Sequence, residues 1–533
     1  MKQNKVLIYD TTLRDGTQGE GISFSARDKV LIAKRMDQFK FDYIEGGWPG
    51  SNPRDMRFFE LAKGIEFQHS KLAAFGSTRR ANLAAEDDQQ LHQLIKAETP
   101  VVTIFGKSWP LHVTDVLKTS LEENLNMIRE SIAFLKNAGK EVLYDAEHYF
   151  DGYKNDSEYA LQTLRAAIEG GADYIVLCDT NGGTQIVEFI QIVEEAIAIC
   201  APTPVGVHCH NDCGLGVALS LVGIEHGATM VQGTINGHGE RIGNANLTSI
   251  LPNLHFKLNY QISCGDQLTG LREFSIGLDK MANIAPNIKE AFVGASAFAH
   301  KGGVHANAAK KVARSYEHMQ PQLVGNQQRI LMSDMSGSSS VVLKARELGI
   351  DLDEKSDQMR AFLALIKERE DRGYEYENAD GSFAVLLHQH FRGVTDNFEL
   401  VSYRTISEVI RDSGTNISEA VVKLRVEDDQ EIKMTIAEST GPVGALDHAM
   451  RKAFGLHFPM LRSVDLIDYK VRITQSGMGT ESIVQVFMKS ADEDGSWWTC
   501  GADGSIIEAS YQALRDAFRY KLLKESLVEV ATQ

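Results

Sequence analysis

The sequence predicts an α/β protein: an N-terminal (β/α)8 barrel, helical linker subdomains, and a C-terminal α+β domain. Three observations carry this. Eight short apolar runs, each ending in polar or glycine residues, alternate with longer segments over about 250 residues, the order of a barrel of parallel strands and covering helices. The intervening segments repeat apolar residues at helical spacing, as in Leu121, Leu125, Ile128, Ile132 and Leu135. From about residue 392 the pattern changes to the period-2 alternation of half-buried strands.

Taken in order, the eight runs are 6–10, 43–47, 72–76, 101–106, 141–147, 174–179, 205–210 and 229–235. A doubly wound open sheet would use fewer strands and open on a glycine-rich first turn, and TTLRDG at 11–16 is not that turn. From 269 to 392 the pattern is mostly helical, with glycine-rich breaks at 301–303 and around Gly337. Residues 355–376 read as a charged amphipathic helix with a solvated face. Beyond them, strands are predicted at 419–425, 431–438, 466–474, 482–489 and 496–501, with helices over 443–454 and 507–524. Gly477-Met478-Gly479-Thr480 opens no helix, so it reads as a hairpin turn and not as a dinucleotide loop. The resulting domains span 1–270, 271–391 and 392–533.

Composition bounds the function. The chain has 533 residues, 43% hydrophobic and 24% charged, which excludes disorder as the main state. Its net charge of −17 disfavours the phosphate binding on which nucleic-acid proteins rely, so no nucleic-acid partner is expected. Small anionic ligands stay open, because a local site can oppose the global charge. No run of about 18 apolar residues exists, and the N-terminal stretch lacks the apolar segment of an export signal. Six sparse cysteines without framework spacing fit reduced thiols, and the expected location is cytoplasmic.

In such a barrel the active site lies at the C-terminal ends of the strands. There the sequence places DTTLRDGTQ (10–18), EGGWP (45–49), DAEH (145–148), DTNG (179–182), HCHND (208–212) and NGHGERIGNAN (236–246). A pile of polar residues at one end of an apolar cylinder is costly unless the groups meet water, a metal or a ligand. His208 and His210 are the sharpest signal. Residues i and i+2 of a strand share a face, so both imidazoles enter the barrel mouth while Cys209 turns to the helix layer. Two neutral imidazoles and one carboxylate, for which Asp15 is the natural candidate, make a site with open positions for a divalent metal. Ligand type does not separate zinc, manganese, magnesium and cobalt. A thiolate at Cys209 or Cys213 is the weaker reading. Arg14 puts a permanent cation beside Asp15, able to hold a carboxylate or an oxyanion, or to form a structural ion pair. Glu147 can orient substrate or serve a salt bridge; Thr180 can offer its hydroxyl to a carboxylate or cap a helix.

These residues resemble a known family. The segments 10–18, 208–212 and 239–245, with HKGGVH at 300–305, are similar to motifs of the metal-dependent aldolase/Claisen TIM-barrel group that includes 2-isopropylmalate, homocitrate and citramalate synthases. The C-terminal strands and helices resemble the group's allosteric domain, so the resemblance covers nearly the whole chain. The wording at 16–21, 45–53 and 145–153 is most similar to the citramalate synthase branch, and Thr17 stands where isopropylmalate synthases usually carry Glu. The resemblance implies a divalent metal on Asp15, His208, His210 and Asn244. It implies that Arg14 stabilises the keto or enolate oxygen, that Thr180 and Gln18 bind substrate, and that Glu147 lines the site. His305 and Tyr316 would reach over a neighbouring subunit's barrel mouth and assist proton transfer. Acetyl-CoA and a 2-oxo acid, pyruvate preferred, are the implied substrates, in isoleucine biosynthesis, with an isoleucine or leucine effector and a homodimer. The rivals are a synthase using another 2-oxo acid and an acyl-CoA lyase on the same barrel.

Overall fold

The computed structural model describes residues 5–300, 317–330, 338–348, 350–393, 398–410, 415–426, 431–455, 457–474 and 482–532, in two compact units. The first unit runs to Phe298 and includes Met319–Gln328; the second takes Ala299–His318 and Arg329–Gln533.

Eight parallel strands close into a barrel in sequence order: β1 (Leu7–Asp10), β2 (Tyr43–Gly47), β3 (Lys71–Ser77), β4 (Val101–Lys107), β5 (Glu141–Glu147), β6 (Tyr174–Asp179), β7 (Val205–Cys209) and β8 (Met230–Gly233). Closure comes from the β1–β8 ladder, which pairs Leu7 with Met230 and Tyr9 with Gln232. Each strand is buried on both faces, which is why it reads as an apolar run. Tyr9, Tyr43, Ala73, Val101, Leu143, Val176 and Met230 fill the lower interior. Their alternates, among them Ile8, Ile44, Leu72, Val102, Val142, Ile175 and Val207, pack against the helices. The helices form where the sequence caps them. Ser25 and Asp28 make a reciprocal capping box at the start of Ala26–Gln38, which buries Ile32, Ala33 and Met36. Ser120 caps Leu121–Asn137, whose inner stripe is Ile128, Ile132 and Leu135.

In the second unit β9 (Ala299–His300) pairs parallel with β10 (Arg329–Ile330). Helices Ser338–Glu347, Asp357–Asp371 and Asp380–Arg392 share a core of Val341, Met359, Phe362, Ile366, Phe383 and Leu387. Two antiparallel three-stranded sheets follow. One holds β11 (Phe398–Ile410), β12 (Thr415–Val426) and β13 (Ile432–Ser439), backed by helix Pro442–Phe454. The other holds β14 (Asp465–Ile473), β15 (Val484–Asp492) and β16 (Gly495–Asp503), backed by helix Ile506–Thr532.

The structure departs from the sequence reading most clearly at two elements, besides the short strands β9 and β10 in the stretch read as mostly helical. Strand β11 was not expected; its residues from Arg404 to Val409 are nearly all exposed, so no alternation marks them. The charged helix is shorter, Asp357–Asp371, and buries Met359, Phe362 and Ile366 beneath its solvated face. Residues 301–303, Gly337 and Gly477–Thr480 lie outside the described residues. No helix among the described residues is long and apolar enough to cross a membrane.

Candidate active site

His208 sits on β7 and His210 one residue past its end, both turned into the barrel, with ring centroids 5.3 Å apart. Asp15 follows β1 and is held at the mouth by the 3-10 turn Gly16–Gln18, which it opens. The three residues are buried, and each offers a ligand atom within 4.8 Å of the others. Asp15 Oδ2 lies 3.5 Å from His208 Nε2. Asn244 is brought in by the loop after β8, which folds back so that residue 244 bridges His210 and the Ala245 N–H donates to the Cys209 carbonyl at 2.8 Å. Asn244 Nδ2 then donates to Asp15 Oδ1 at 3.1 Å. Two glycines permit that fold-back. Gly239 has φ +154° and a Cβ there would lie 2.2 Å from Asn244 Nδ2; Gly243 has φ +103° and a Cβ would meet the Gly237 carbonyl oxygen at 1.9 Å. Cys209 packs in the outer apolar layer, and Cys213 is exposed.

The electrostatics favour a cation. Burial opposes ionisation of Asp15, yet Arg14 and the two histidines hold its carboxyl down at about 2. Burial, reinforced by His208, pulls His210 down to about 4, so its imidazole is neutral at neutral pH. Among the described residues, His210 Nδ1 and Asn244 Oδ1 are buried without a hydrogen-bond partner. An anionic carboxylate at Asp15, a neutral imidazole at His210 and an orphaned amide oxygen, with the His208 ring beside them, are the donor set a divalent cation satisfies.

Beneath this mouth lies a layer of inward-facing polar groups. Arg14 donates through Nε to Glu45 at 2.6 Å and through Nη1 to Asp15 at 2.9 Å. Burial works against its charge, but Glu45 and Asp15 outweigh it and lift the guanidinium above its usual range. Glu45 also accepts from Tyr9 at 2.6 Å and from Thr11. His208 Nδ1 meets Gln232 Oε1 at 2.8 Å, and Gln232 Nε2 donates to Asp145 Oδ1 at 3.0 Å. Burial, aided by Glu45, pushes the Asp145 carboxyl up to about 8. An aromatic group stands beside the polar one: Phe75 and Phe105 stack at 5.5 Å, Trp48 meets both edge-on, and the Arg14 guanidinium lies 3.6 Å over Phe75.

Residues 5–275 match the model of the HMGL-like family, just over half of the chain. The chain belongs to the HMGL-like family. Behind that HMGL-like barrel, residues 292–374 match the homocitrate synthase post-HMGL domain-like model and 377–522 the LeuA allosteric (dimerisation) domain. The chain is 50% identical to the (R)-citramalate synthase of Aquifex aeolicus over 521 residues, 98% of each chain. It is 47% identical to that of Geobacter sulfurreducens, covering 98% of this chain and 99% of the relative. A 2-isopropylmalate synthase of Methanocaldococcus jannaschii is 29% identical, covering 98% and 95%.

The HMGL-like barrel brings most of the residues singled out in the sequence to one mouth. Arg14, Asp15, His208, His210 and Asn244 converge. Glu147, at the end of β5, is ion-paired with Lys107 at the end of β4. Thr180 caps no helix; its Oγ1 accepts from the His148 N–H at 2.9 Å, and the next helix is capped at Gln185. Gln18 is exposed at the rim. His305 and Tyr316 lie outside the described residues. Sequence reasoning saw Glu45 and Asp145 only as polar strand ends, and it overlooked Gln232, Phe75 and Phe105. The signal was strand parity: each stands an even number of residues from an inward neighbour, Asp145 from Glu147 and Gln232 from Met230.

Proposed function

We propose that this chain is a citramalate synthase, an acyltransferase that condenses acetyl-CoA with pyruvate and hydrolyses the thioester. The observation that carries the reading is the near-full-length identity of 47–50% to proteins named (R)-citramalate synthase, against 29% for a 2-isopropylmalate synthase. Residues 1–270 form the catalytic barrel, 271–391 the connector and 392–533 the regulatory and dimerising domain.

Asp15, His208, His210 and Asn244 hold a divalent cation, whose bound chemistry is Lewis-acid polarisation of the 2-oxo acid. Arg14 faces the keto oxygen. Its Nε and Nη1 are spent on Glu45 and Asp15, and among the described residues Nη2 has no hydrogen bond, so it can donate to an oxygen that gains charge. The Thr180 hydroxyl already accepts from His148, which leaves its proton for the substrate carboxylate. The Trp48–Phe75–Phe105 aromatic group beside Arg14 is the apolar surface against which the methyl group of pyruvate would pack. A base takes a proton from the acetyl methyl; His305 is the candidate, with Tyr316 assisting. The carbanion adds to the ketone carbon and the oxygen takes up a proton. Water then adds to the thioester carbonyl, the C–S bond breaks, and citramalate and CoA thiol leave. Glu147, paired with Lys107, lines the site beside these groups, and Gln18 meets substrate at the rim.

The second unit offers a surface for a second copy. Ile432, Met434 and Ile436 alternate along β13 and are 44%, 60% and 52% exposed, while Ala437, which follows them, is buried on the other face. An isoleucine or leucine effector acting on this domain, a cytoplasmic location and a place in isoleucine biosynthesis complete the reading. Thiol release from acetyl-CoA, followed with and without pyruvate and with citramalate identified by mass, tests it. Pyruvate-dependent release supports the synthase. Thiol release that ignores pyruvate, or cleavage of 3-hydroxy-3-methylglutaryl-CoA in its place, overturns it.

A further inference from the structure

One buried group takes no part in the reaction as described above. His208 on β7, Gln232 on β8 and Asp145 on β5 all point into the barrel and are 4%, 0% and 3% exposed. Among the described residues, each end of the Gln232 amide makes a single hydrogen bond: Oε1 to His208 Nδ1 at 2.8 Å, and Nε2 to Asp145 Oδ1 at 3.0 Å. On the far side of the ring, His208 Nε2 faces Asp15 Oδ2 at 3.5 Å.

A primary amide has one donating end and one accepting end, and a neutral imidazole likewise has one of each. The end that Gln232 turns toward His208 therefore dictates which ring nitrogen carries the proton. With the carbonyl oxygen turned to it, Nδ1 is the N–H and Nε2 keeps its lone pair toward Asp15. With the NH2 end turned to it, the tautomer reverses and an N–H points into the site, where it repels a cation. The ionised Asp145 carboxylate settles the choice: its oxygens can only accept, so they take the NH2 end from the opposite side, and because burial holds this carboxyl at about 8 the choice is fixed above that pH.

We propose that Asp145, acting through Gln232, is the positioning residue that sets the tautomer of His208 and so makes His208 Nε2 a metal ligand. The proposal rests on the reading of Asp15, His208 and His210 as a metal centre. Partners behind a ligating imidazole typically change metal affinity 10–100-fold when removed.

The test uses full-length, metal-stripped protein at pH 9 without oxygen, where the Asp145 carboxyl is ionised. Mn2+ is titrated by calorimetry, and ring 15N shifts of His208 report which nitrogen is protonated before the ion is added. The wild type binds one Mn2+ per chain with His208 protonated at Nδ1. Asp145→Ala weakens Mn2+ binding by about tenfold or more and mixes the tautomers. The second variant, Gln232→Glu on the Asp145→Ala background, is decisive. A carboxylate can only accept, so it needs no neighbour to orient it, and affinity returns to within about threefold of wild type with Nδ1 protonated again. Asp145→Leu replaces Asp145→Ala if the smaller side chain leaves the protein unfolded. Unchanged affinity in the single variant overturns the proposal. So does a loss that Gln232→Glu fails to restore, which marks Asp145 as a packing residue. Failure of the reading beneath it looks different: the wild type then takes up no Mn2+, or His208→Ala binds it equally well.

Discussion

Thr180 illustrates how much a single side chain decides here. Its oxygen accepts from the His148 N–H, which orients the hydroxyl and leaves its proton to donate at the mouth. Thr180→Val keeps the shape and removes the hydroxyl. It is expected to raise the KM for pyruvate by roughly tenfold, with the KM for acetyl-CoA unchanged, and Thr180→Ser should restore it. Steady-state kinetics with each substrate varied in turn checks this; a rise shared by both substrates argues for a misshapen mouth. Gly239 makes the complementary point about backbone. A methyl group at that position falls 2.2 Å from Asn244 Nδ2 at a φ of +154°, so Gly239→Ala displaces Asn244 from Asp15. Mn2+ affinity should fall by about tenfold while the circular dichroism of the barrel is retained. Unaltered affinity would remove Asn244 from the ligand set.

The elements that were legible in the sequence are those whose two faces are both constrained. All eight barrel strands match the apolar runs to within a residue or three, because a parallel strand buried on both faces reads as a mostly apolar run. Strand β11 was not legible, since most of its positions from Arg404 to Val409 are exposed and pairing alone makes it a strand. The metal-site candidates were legible because an i, i+2 histidine pair on a strand is a sharp pattern. Gln232 was not, because an amide in a short strand carries no motif; its meaning arises from the two residues it touches. Helix Asp380–Arg392 holds a similar hidden feature. His388 is 1% exposed, neither ring nitrogen has a hydrogen bond among the described residues, and burial, with Arg392 nearby, depresses its pKa to about 4. The unfolded chain binds this proton more readily, so its contribution is complete above the ordinary value of about 6.5 and is lost as pH falls toward 4. By pH 5 the loss is ~2 kcal/mol, and thermal melts of the wild type should fall accordingly. His388→Leu should flatten that dependence; a variant that melts with the wild-type pH profile would place the acid sensitivity elsewhere.

At the scale of the whole molecule, a net charge of −17 meets two anionic substrates. On the proposed reading the attraction is local, from Arg14 and a divalent ion at the mouth, and added salt should change pyruvate binding little compared with chelation of the metal. The second unit carries its own whole-molecule consequence. If a second copy covers β13, Met434→Glu puts a charge between the exposed Ile432 and Ile436 side chains, and light scattering should find monomers where the wild type is a dimer. A dimer that survives the substitution would place the interface on another face. The central claim is the identity of the acceptor, and the measurement that tests it most directly is kcat/KM for pyruvate, 2-oxobutyrate and 2-oxoisovalerate with acetyl-CoA saturating. The aromatic wall and the relatives predict pyruvate ahead of 2-oxoisovalerate by at least about tenfold. A tenfold preference for 2-oxoisovalerate would contradict the account and make the chain a 2-isopropylmalate synthase.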